Sequence, residues 1–427
     1  MNALEELVAA GGELSRFFTP AYIAQAKAYA APLHVRQLVG MGLDLAEYAL
    51  IFGLALHVKL YAACEQLAAR LAGGKLEGFR KVFARVWKGP GLGAAFLFVV
   101  AVHLGFTALA LPESVYFDFL REKREGLSTY TAGAFAYDWT KSTLVYGAVV
   151  AFAIVALYAL MRRMPRRWSL VLGIAGASLM LVSAALDPYR DRLVYDYKPL
   201  AEGPVRSAVV AMLAKGGVPF QNVVVENLSH STVRADAYFA GQGPTRLIVI
   251  GDTMLGAYTP QEISTVVAHE MGHLRESVWL ARVASALGLL LGVLLLDRLL
   301  RLCARRRWFG LRTPADVTGF LVMIFAFELV TWTVGPASAW RSRARESAAD
   351  AYALQLTGDP QSFITMMTKL TAQNRADPVP AGWLEAIHAS HPASARRIAM
   401  ALRYARDHQI ALALPAPEDA VAVGETR

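Results

Sequence analysis

The sequence predicts a mainly α-helical, multi-pass membrane protein that carries a small α+β domain between and beyond its membrane spans. Three observations predict this. The 427-residue chain is 55% hydrophobic with mean hydropathy +0.36, too apolar for an ordinary soluble protein of this size. Several apolar runs approach the roughly 20 residues needed to cross a hydrocarbon core. Residues 188–277 return to soluble composition and alternate between helical and strand-like patterns.

In chain order, residues 1–40 read as amphipathic helix and linker at the membrane surface, with Phe17, Phe18, Tyr22 and Tyr29 among polar residues. A weak span follows at Leu43–Cys64, interrupted by Asp44, Glu47, His57 and Lys59, so one face should line protein or water; an interfacial helix is the alternative. Clearer spans lie at Leu92–Leu111, Leu144–Leu160 and Leu170–Leu186, which makes residues 1–187 an N-terminal membrane region of four spans.

Within 188–277, Pro204–Lys215 reads as a helix and Asn222–Glu226 as a strand. Arg234–Ala240 and Arg246–Ile250 flank the turn signal Gly241-Gln242-Gly243-Pro244. Two further spans, Val278–Leu300 and Val317–Ser338, occupy 278–338 and bring the expected total to six. His103 and Glu328 lie inside spans, where an ionisable group marks a cavity or a partner. Residues 339–410 form a second soluble part that begins with a polar-faced helix, Trp340–Leu356, stopped by Gly358-Asp359-Pro360. The tail, 411–427, rich in Pro, Ala and Glu, reads as disordered.

Charge and cysteine usage narrow the class. The net charge of +9 sits in short loops between apolar spans and not in a basic stripe interleaved with aromatics, which points to membrane orientation and away from nucleic acid. The two cysteines, Cys64 and Cys303, give neither a disulfide framework nor a cysteine metal cluster, and read as plain thiols. The acidic start, Met1 to Glu6, lacks the charged region of a cleavable signal peptide.

The chemistry is expected at His269-Glu270-Met271-Gly272-His273. On a helix, residues four apart share a face, so His269 and His273 can offer imidazole nitrogens to one Zn²⁺ while Glu270 stands beside the open coordination position. The helix start is legible: Thr259 is a good N-cap, Pro260 suits the first helical position, and Glu262 can close a capping box onto Thr259. Catalytic zinc needs a third protein ligand. Downstream, Glu346 and Asp350 are four apart on one helical face, so one can bind metal while the other orients a ligand histidine. Glu346 is assigned to the metal and Asp350 to the histidine. Without the histidine motif, these two with Arg343 would read as an exposed charge cluster.

These residues resemble the CAAX prenyl protease type 1 family of integral-membrane zinc metallopeptidases and its relative HtpX, a membrane quality-control protease. The resemblance rests on the His269–His273 motif, on Ser342-Arg343 leading to Glu346 and Ala349-Asp350, and on Ser390-His391-Pro392 with Arg397-Ile398. It implies a zincin-like domain with one zinc per chain held by His269, His273 and Glu346. It also implies Glu270 as base, support from Asp350 and Arg343, and His391 with Arg397 at the catalytic site. The same chemistry reads from below: zinc lowers the pKa of its water, Glu270 takes the proton, and the hydroxide attacks a polarised peptide carbonyl, with His391 or Arg397 stabilising the oxyanion.

Ala235-Asp236-Ala237-Tyr238-Phe239 resembles the family's edge strand, which implies that Asp236, Ala237 and Tyr238 hold an extended polypeptide by backbone pairing. The family usually has Asn where this chain has Asp236, and a carboxylate accepts hydrogen bonds without donating them. A seven-helix chamber is implied as well, one helix more than the six spans counted. The expected function is a membrane zinc endopeptidase acting on membrane-associated, hydrophobic or prenylated polypeptides in an inner or plasma membrane. The alternatives are quality control of misfolded membrane proteins, or a non-catalytic zinc-binding scaffold or transporter.

Orientation has two opposed warrants. Basic residues cluster at Arg70–Lys88, Arg162–Arg167 and Arg301–Arg312. The positive-inside rule makes those segments cytoplasmic and turns the catalytic part outward, the direction favoured here. The resemblance implies a catalytic domain open to the cytosol.

Overall fold

The computed structural model describes residues 2–73, 91–194, 197–241, 243–275 and 278–421. Among these residues seven helices have 18 residues or more: Pro20–Gly53, Leu56–Gly73, Leu92–Ser114, Ala132–Arg163, Trp168–Val194, Val278–Arg306 and Gly319–Thr357. Four stretches, Leu92–Arg124, Ala132–Arg163, Trp279–Arg306 and Gly319–Thr357, are each long and apolar enough to cross a membrane. Pro20–Gly53 and Leu56–Leu71 qualify together as a pair bent by 59°.

The weak span expected at Leu43–Cys64 is therefore two helices. The chain breaks at Ala55, whose φ of 51° lies in the left-handed region that ends a right-handed helix. His57 explains part of the polarity there: its ring bridges the Ile51 carbonyl, freed at the helix end, and the Phe309 carbonyl, at 3.3 and 2.8 Å. The two other intramembrane groups also pair spans. Tyr48 donates to Glu328 at 2.9 Å, and His103 bonds the Thr143 carbonyl at 3.0 Å.

Two arginine-rich turns meet at one end of the bundle, where Arg301 on Val278–Arg306 donates to the Pro165 carbonyl at 2.6 Å. Beside them Trp168 Nε1 donates to Asp297 at 2.8 Å, and Cys64 and Cys303 are both buried. Helices Val278–Arg306 and Gly319–Thr357 run from that end to the soluble part, so the arginines and the His269 motif lie at opposite ends. Of the first basic cluster, Lys75, Arg80, Lys81, Arg85 and Lys88 lie outside the described residues.

The soluble part has one core in which Leu213, Val223, Ile250, Met254, Val267, Phe363, Ile398 and Leu402 pack together. Several of the N-terminal residues expected at the membrane surface, up to Ala26, are inside it. Leu7, Phe17, Phe18, Tyr22 and Ala26 belong to that core, and Tyr22 donates to the Thr371 carbonyl at 2.7 Å. Each fully buried phenylalanine contributes about 1.5–3 kcal/mol relative to exposure, which favours core over interface. Residues 411–421, expected to be disordered, run back along the same core: Leu412, Leu414 and Val421 pack on it, and Val421 exchanges backbone hydrogen bonds of 3.1 Å with Phe17 and Thr19. Residues 422–427 lie outside the described residues.

A four-stranded sheet has the order β1 (Lys198–Pro199), β2 (Asn222–Glu226), β4 (Leu247–Gly251), β3 (Ala237–Ala240). β3 and β4 pair antiparallel, with Tyr238 opposite Val249, whereas β2 and β4 are parallel. The expected hairpin is present, although Gln242 of its turn lies outside the described residues. Gly241 carries the turn with φ +76°, and a Cβ there would meet the Thr245 carbonyl oxygen at 2.8 Å. β3 is left at the sheet edge.

The motif helix Pro260–His273 packs against β3, Pro204–Lys215 and Gly319–Thr357. Its capping box is closed, with the Thr259 N–H on Glu262 at 2.7 Å and the Glu262 N–H on Thr259 at 3.3 Å. Gly272, between the two motif histidines' turns, allows Gly319–Thr357 to approach: a Cβ there would lie 2.7 Å from Ala349 Cα. That contact brings Glu346 and Asp350, on either side of Ala349, up to the histidines.

Candidate metal centre and active site

Five polar side chains from two helices and one loop converge. Glu346 Oε2 lies 3.2 Å from His269 Nε2, and Glu346 Oε1 lies 3.4 Å from His273 Nε2. His391 Nε2 approaches Glu346 Oε2 at 3.4 Å from the exposed side. His269, Glu270 and His273 each present a ligand atom within 4.8 Å of the others.

The donor chemistry fits a divalent cation. Glu346 Oε2 and His273 Nδ1 are buried without a hydrogen-bond partner among the described residues, an arrangement that proteins rarely leave uncompensated. Burial alone would lower the His269 imidazole, yet the carboxylates of Asp350 and Glu346 beside it outweigh burial and hold it at about 9. Such a group sits where positive charge is favoured. Two imidazoles and one carboxylate, open on one side, make the donor set of a catalytic zinc site.

Behind these side chains the geometry is closed. Asp350, fully buried, accepts His269 Nδ1–H at 2.8 Å and two donors of Arg397, Nε at 2.7 Å and Nη2 at 2.6 Å. The Asp350 bond fixes the His269 tautomer with Nε2 free to face Glu346. Asp350→Ala is expected to weaken metal binding about 10–100-fold. It is also expected to lower stability by about 3–5 kcal/mol by stranding the Arg397 charge. Metal titration and thermal melting of the purified variant check both.

Arg343 does not reach this group. Its guanidinium donates to the carbonyls of Glu385 and Ala389 at 2.6 and 2.7 Å and of Ala386 at 3.0 Å, at the end of helix Gly382–His388. It thereby anchors the segment that leads into Ser390-His391-Pro392. From the other side, the buried Glu385 accepts the Ala393 N–H at 3.0 Å. Ser390 Oγ lies 2.9 Å from His391 Nδ1 and orients that ring.

A cavity of about 750 Å³ opens over the site, bounded by Asp236 and Ala237 on one side and His391 and Arg397 on the other, with Glu270 and Glu346 between. Glu270 is held above the ordinary carboxylate range by burial, which the nearby His269 and His273 oppose. Asp236 is accessible from the cavity yet enclosed by its walls. That desolvation raises its carboxyl, against a bond from the Ala237 amide and with help from Glu226.

Of the three edge residues expected to hold substrate, Tyr238 turns away: its hydroxyl donates to Glu226 at 2.9 Å and meets Tyr197 on the opposite face. Within the strand the period of two puts Tyr238 on the face opposite Ala237, which borders the cavity; Asp236 precedes the strand. Spacing gave no signal for Arg234 and Asn374, which also line it.

A mainly helical membrane bundle that carries a cavity over paired histidines and a carboxylate defines an integral-membrane metallopeptidase. The comparisons point to a family. The Peptidase family M48 model matches residues 199–405, and the model described as CAAX prenyl protease N-terminal, five membrane helices, matches 38–190. Together the two models match most of the chain, which is similar to this family in both its soluble and its membrane parts.

Among its relatives, the metalloprotease YhfN of Bacillus subtilis is 25% identical over 64% of this chain and 65% of its own length. CAAX prenyl protease 1 of Saccharomyces cerevisiae is 24% identical over 68% of each chain. A protease HtpX homolog of Streptococcus gordonii is 25% identical over 62% of this chain and 88% of its own. The crystal structure of S. mikatae Ste24p shares the fold with a TM-score of 0.74 at 20% identity, covering 89% of both chains. Five of the long helices fall in or overlap residues 38–190, the stretch matched by the model described as having five membrane helices.

Proposed function

We propose that this chain is a membrane zinc endopeptidase that cleaves polypeptides bound in extended form, with one zinc ion held by His269, His273 and Glu346. What supports this most is the convergence of those three residues beneath a cavity that an unpaired strand edge borders. Zinc bound there would polarise a peptide carbonyl and acidify a water.

Glu270 takes the proton of the attacking water and passes it to the leaving amine; its burial favours that traffic over permanent ionisation. His391 donates to the carbonyl oxygen as charge develops, because it faces the cavity and Ser390 orients it. Arg397 acts through Asp350, since Nε and Nη2 are committed there. Arg343 positions His391 by holding the carbonyls before it. The substrate adds to β3 as a further strand, using the backbone of Ala237 and Tyr238, while Asp236 selects for donors near the scissile bond.

The substrates are membrane-associated, hydrophobic or prenylated chains. Purified protein in detergent is expected to cleave a farnesylated peptide faster than unmodified casein, and chelator to abolish both. Preference for casein would favour misfolded-protein quality control. Stoichiometric zinc without cleavage of either would make the chain a scaffold or transporter.

The arginine-rich turns, at the end remote from the zinc residues, face the cytoplasm by the charge rule. The native cysteines are buried, so orientation needs introduced ones. In intact cells a membrane-impermeant thiol reagent is expected to label Ser229→Cys, on the exposed catalytic side, and to spare Arg166→Cys, in the exposed arginine turn.

A further inference from the structure

The wall of the cavity upstream of β3 is built partly from the membrane region. After helix Leu92–Ser114 the chain makes a π-helical turn, Val115–Leu120, and then the short helix Arg121–Arg124. π-Turns of this kind are uncommon and concentrate at functional sites. Residues 127–129 then run beside 229–233 like a strand. Val233 N–H donates to the Leu127 carbonyl at 3.1 Å, Thr129 N–H to the Ser231 carbonyl at 3.1 Å, and Ser128 bridges Thr232 antiparallel.

At the end of this pairing stands Arg234, two residues before Asp236. Its Nη2 donates to Glu122 Oε2 at 2.8 Å and to the Tyr29 hydroxyl at 2.6 Å, and its Nη1 to the Asn374 carbonyl at 3.1 Å. Tyr29 itself bonds Glu122, and Arg121 lies over the Tyr29 ring at 4.0 Å while donating to the Tyr29 carbonyl at 2.9 Å. The backbone of the same segment is fixed from below: Gln373 donates to the Val233 carbonyl at 2.7 Å, Thr253 to that of Arg234 at 2.8 Å, and Ala235 N–H donates to Asn374 Oδ1 at 3.1 Å. Thr232, Arg234 and Asn374 all face the cavity.

We propose that Arg234 is a positioning residue for substrate: through Glu122 and Tyr29 it ties the start of the edge strand to the N-terminal helix and to the exit of the Leu92–Arg124 span. The position of β3 relative to Glu270 is thereby set by the membrane bundle. One planar guanidinium serves three elements at once, which a lysine's single ammonium cannot reproduce. The inference rests on β3 being the strand that receives the polypeptide.

Binding can be read without cleavage. In the Glu270→Gln background, a fluorescein-labelled, casein-derived peptide and its farnesylated counterpart are titrated against protein with Arg234, Arg234→Ala or Arg234→Lys. Arg234→Ala is expected to weaken binding at least about tenfold, a displacement of the kind that costs far more in catalysis. Zinc content should stay at the parent value, and Arg234→Lys should bind at an intermediate level. Glu122→Gln should weaken binding similarly, and the double variant no more than either single one. Unchanged binding in Arg234→Ala, or binding lost together with zinc, would overturn the assignment. Failure of the Arg234 parent itself to bind either peptide would overturn both this inference and the extended-substrate reading, a pattern distinct from the first.

Discussion

Glu270→Gln is expected to keep its zinc and lose cleavage by about 10²–10⁴-fold, the range a positioned general base supplies. The argument is geometric. Glu270 follows His269 on the motif helix and reaches the cavity between Asp236 and Glu346, where a water and a carbonyl can meet. The amide of glutamine fills the same volume and leaves the His269, His273 and Glu346 contacts in place, but it accepts no proton. Metal analysis beside a cleavage assay checks the result, and a variant with full activity would remove Glu270 from the chemistry.

Glu346→Ala is expected to act at the earlier step. It removes the carboxylate that lies 3.2 and 3.4 Å from the two motif imidazoles, and leaves two histidines that cannot hold a catalytic metal alone. Zinc affinity should fall at least about 100-fold, the upper end of what loss of a ligand's supporting partner costs, with cleavage lost in step. Excess zinc should restore part of the activity. Cleavage that survives while zinc is lost would separate the reaction from this carboxylate.

The motif helix was the most legible element, because its cap, its proline and its histidine spacing are all local: Thr259, Pro260, Glu262, His269 and His273 need no tertiary information. Glu346 and Asp350 were legible as a pair for the same reason, though which histidine each would meet depends on the close approach at Gly272. The break inside the expected span at Leu43–Cys64 was not legible, because hydropathy averages across Ala55, whose positive φ no residue type announces. Phe17 and Phe18 were placed at the membrane surface because amphipathic patterning does not say which apolar surface will cover a face; here it is the soluble core. The tail to Val421 was misread for a related reason: its composition is loose, but Leu412, Leu414 and Val421 find a core to cover. The Arg234 node was invisible because its partners, Tyr29 and Glu122, lie more than a hundred residues upstream.

X-ray absorption at the zinc edge of the purified, active protein measures the coordination directly. The account predicts one zinc per chain with nitrogen and oxygen neighbours at about 2.0–2.2 Å, two of them imidazoles, and no sulfur. That signal should collapse in Glu346→Ala and persist in Glu270→Gln. A sulfur shell near 2.3 Å, or an unaltered spectrum in Glu346→Ala, would contradict it.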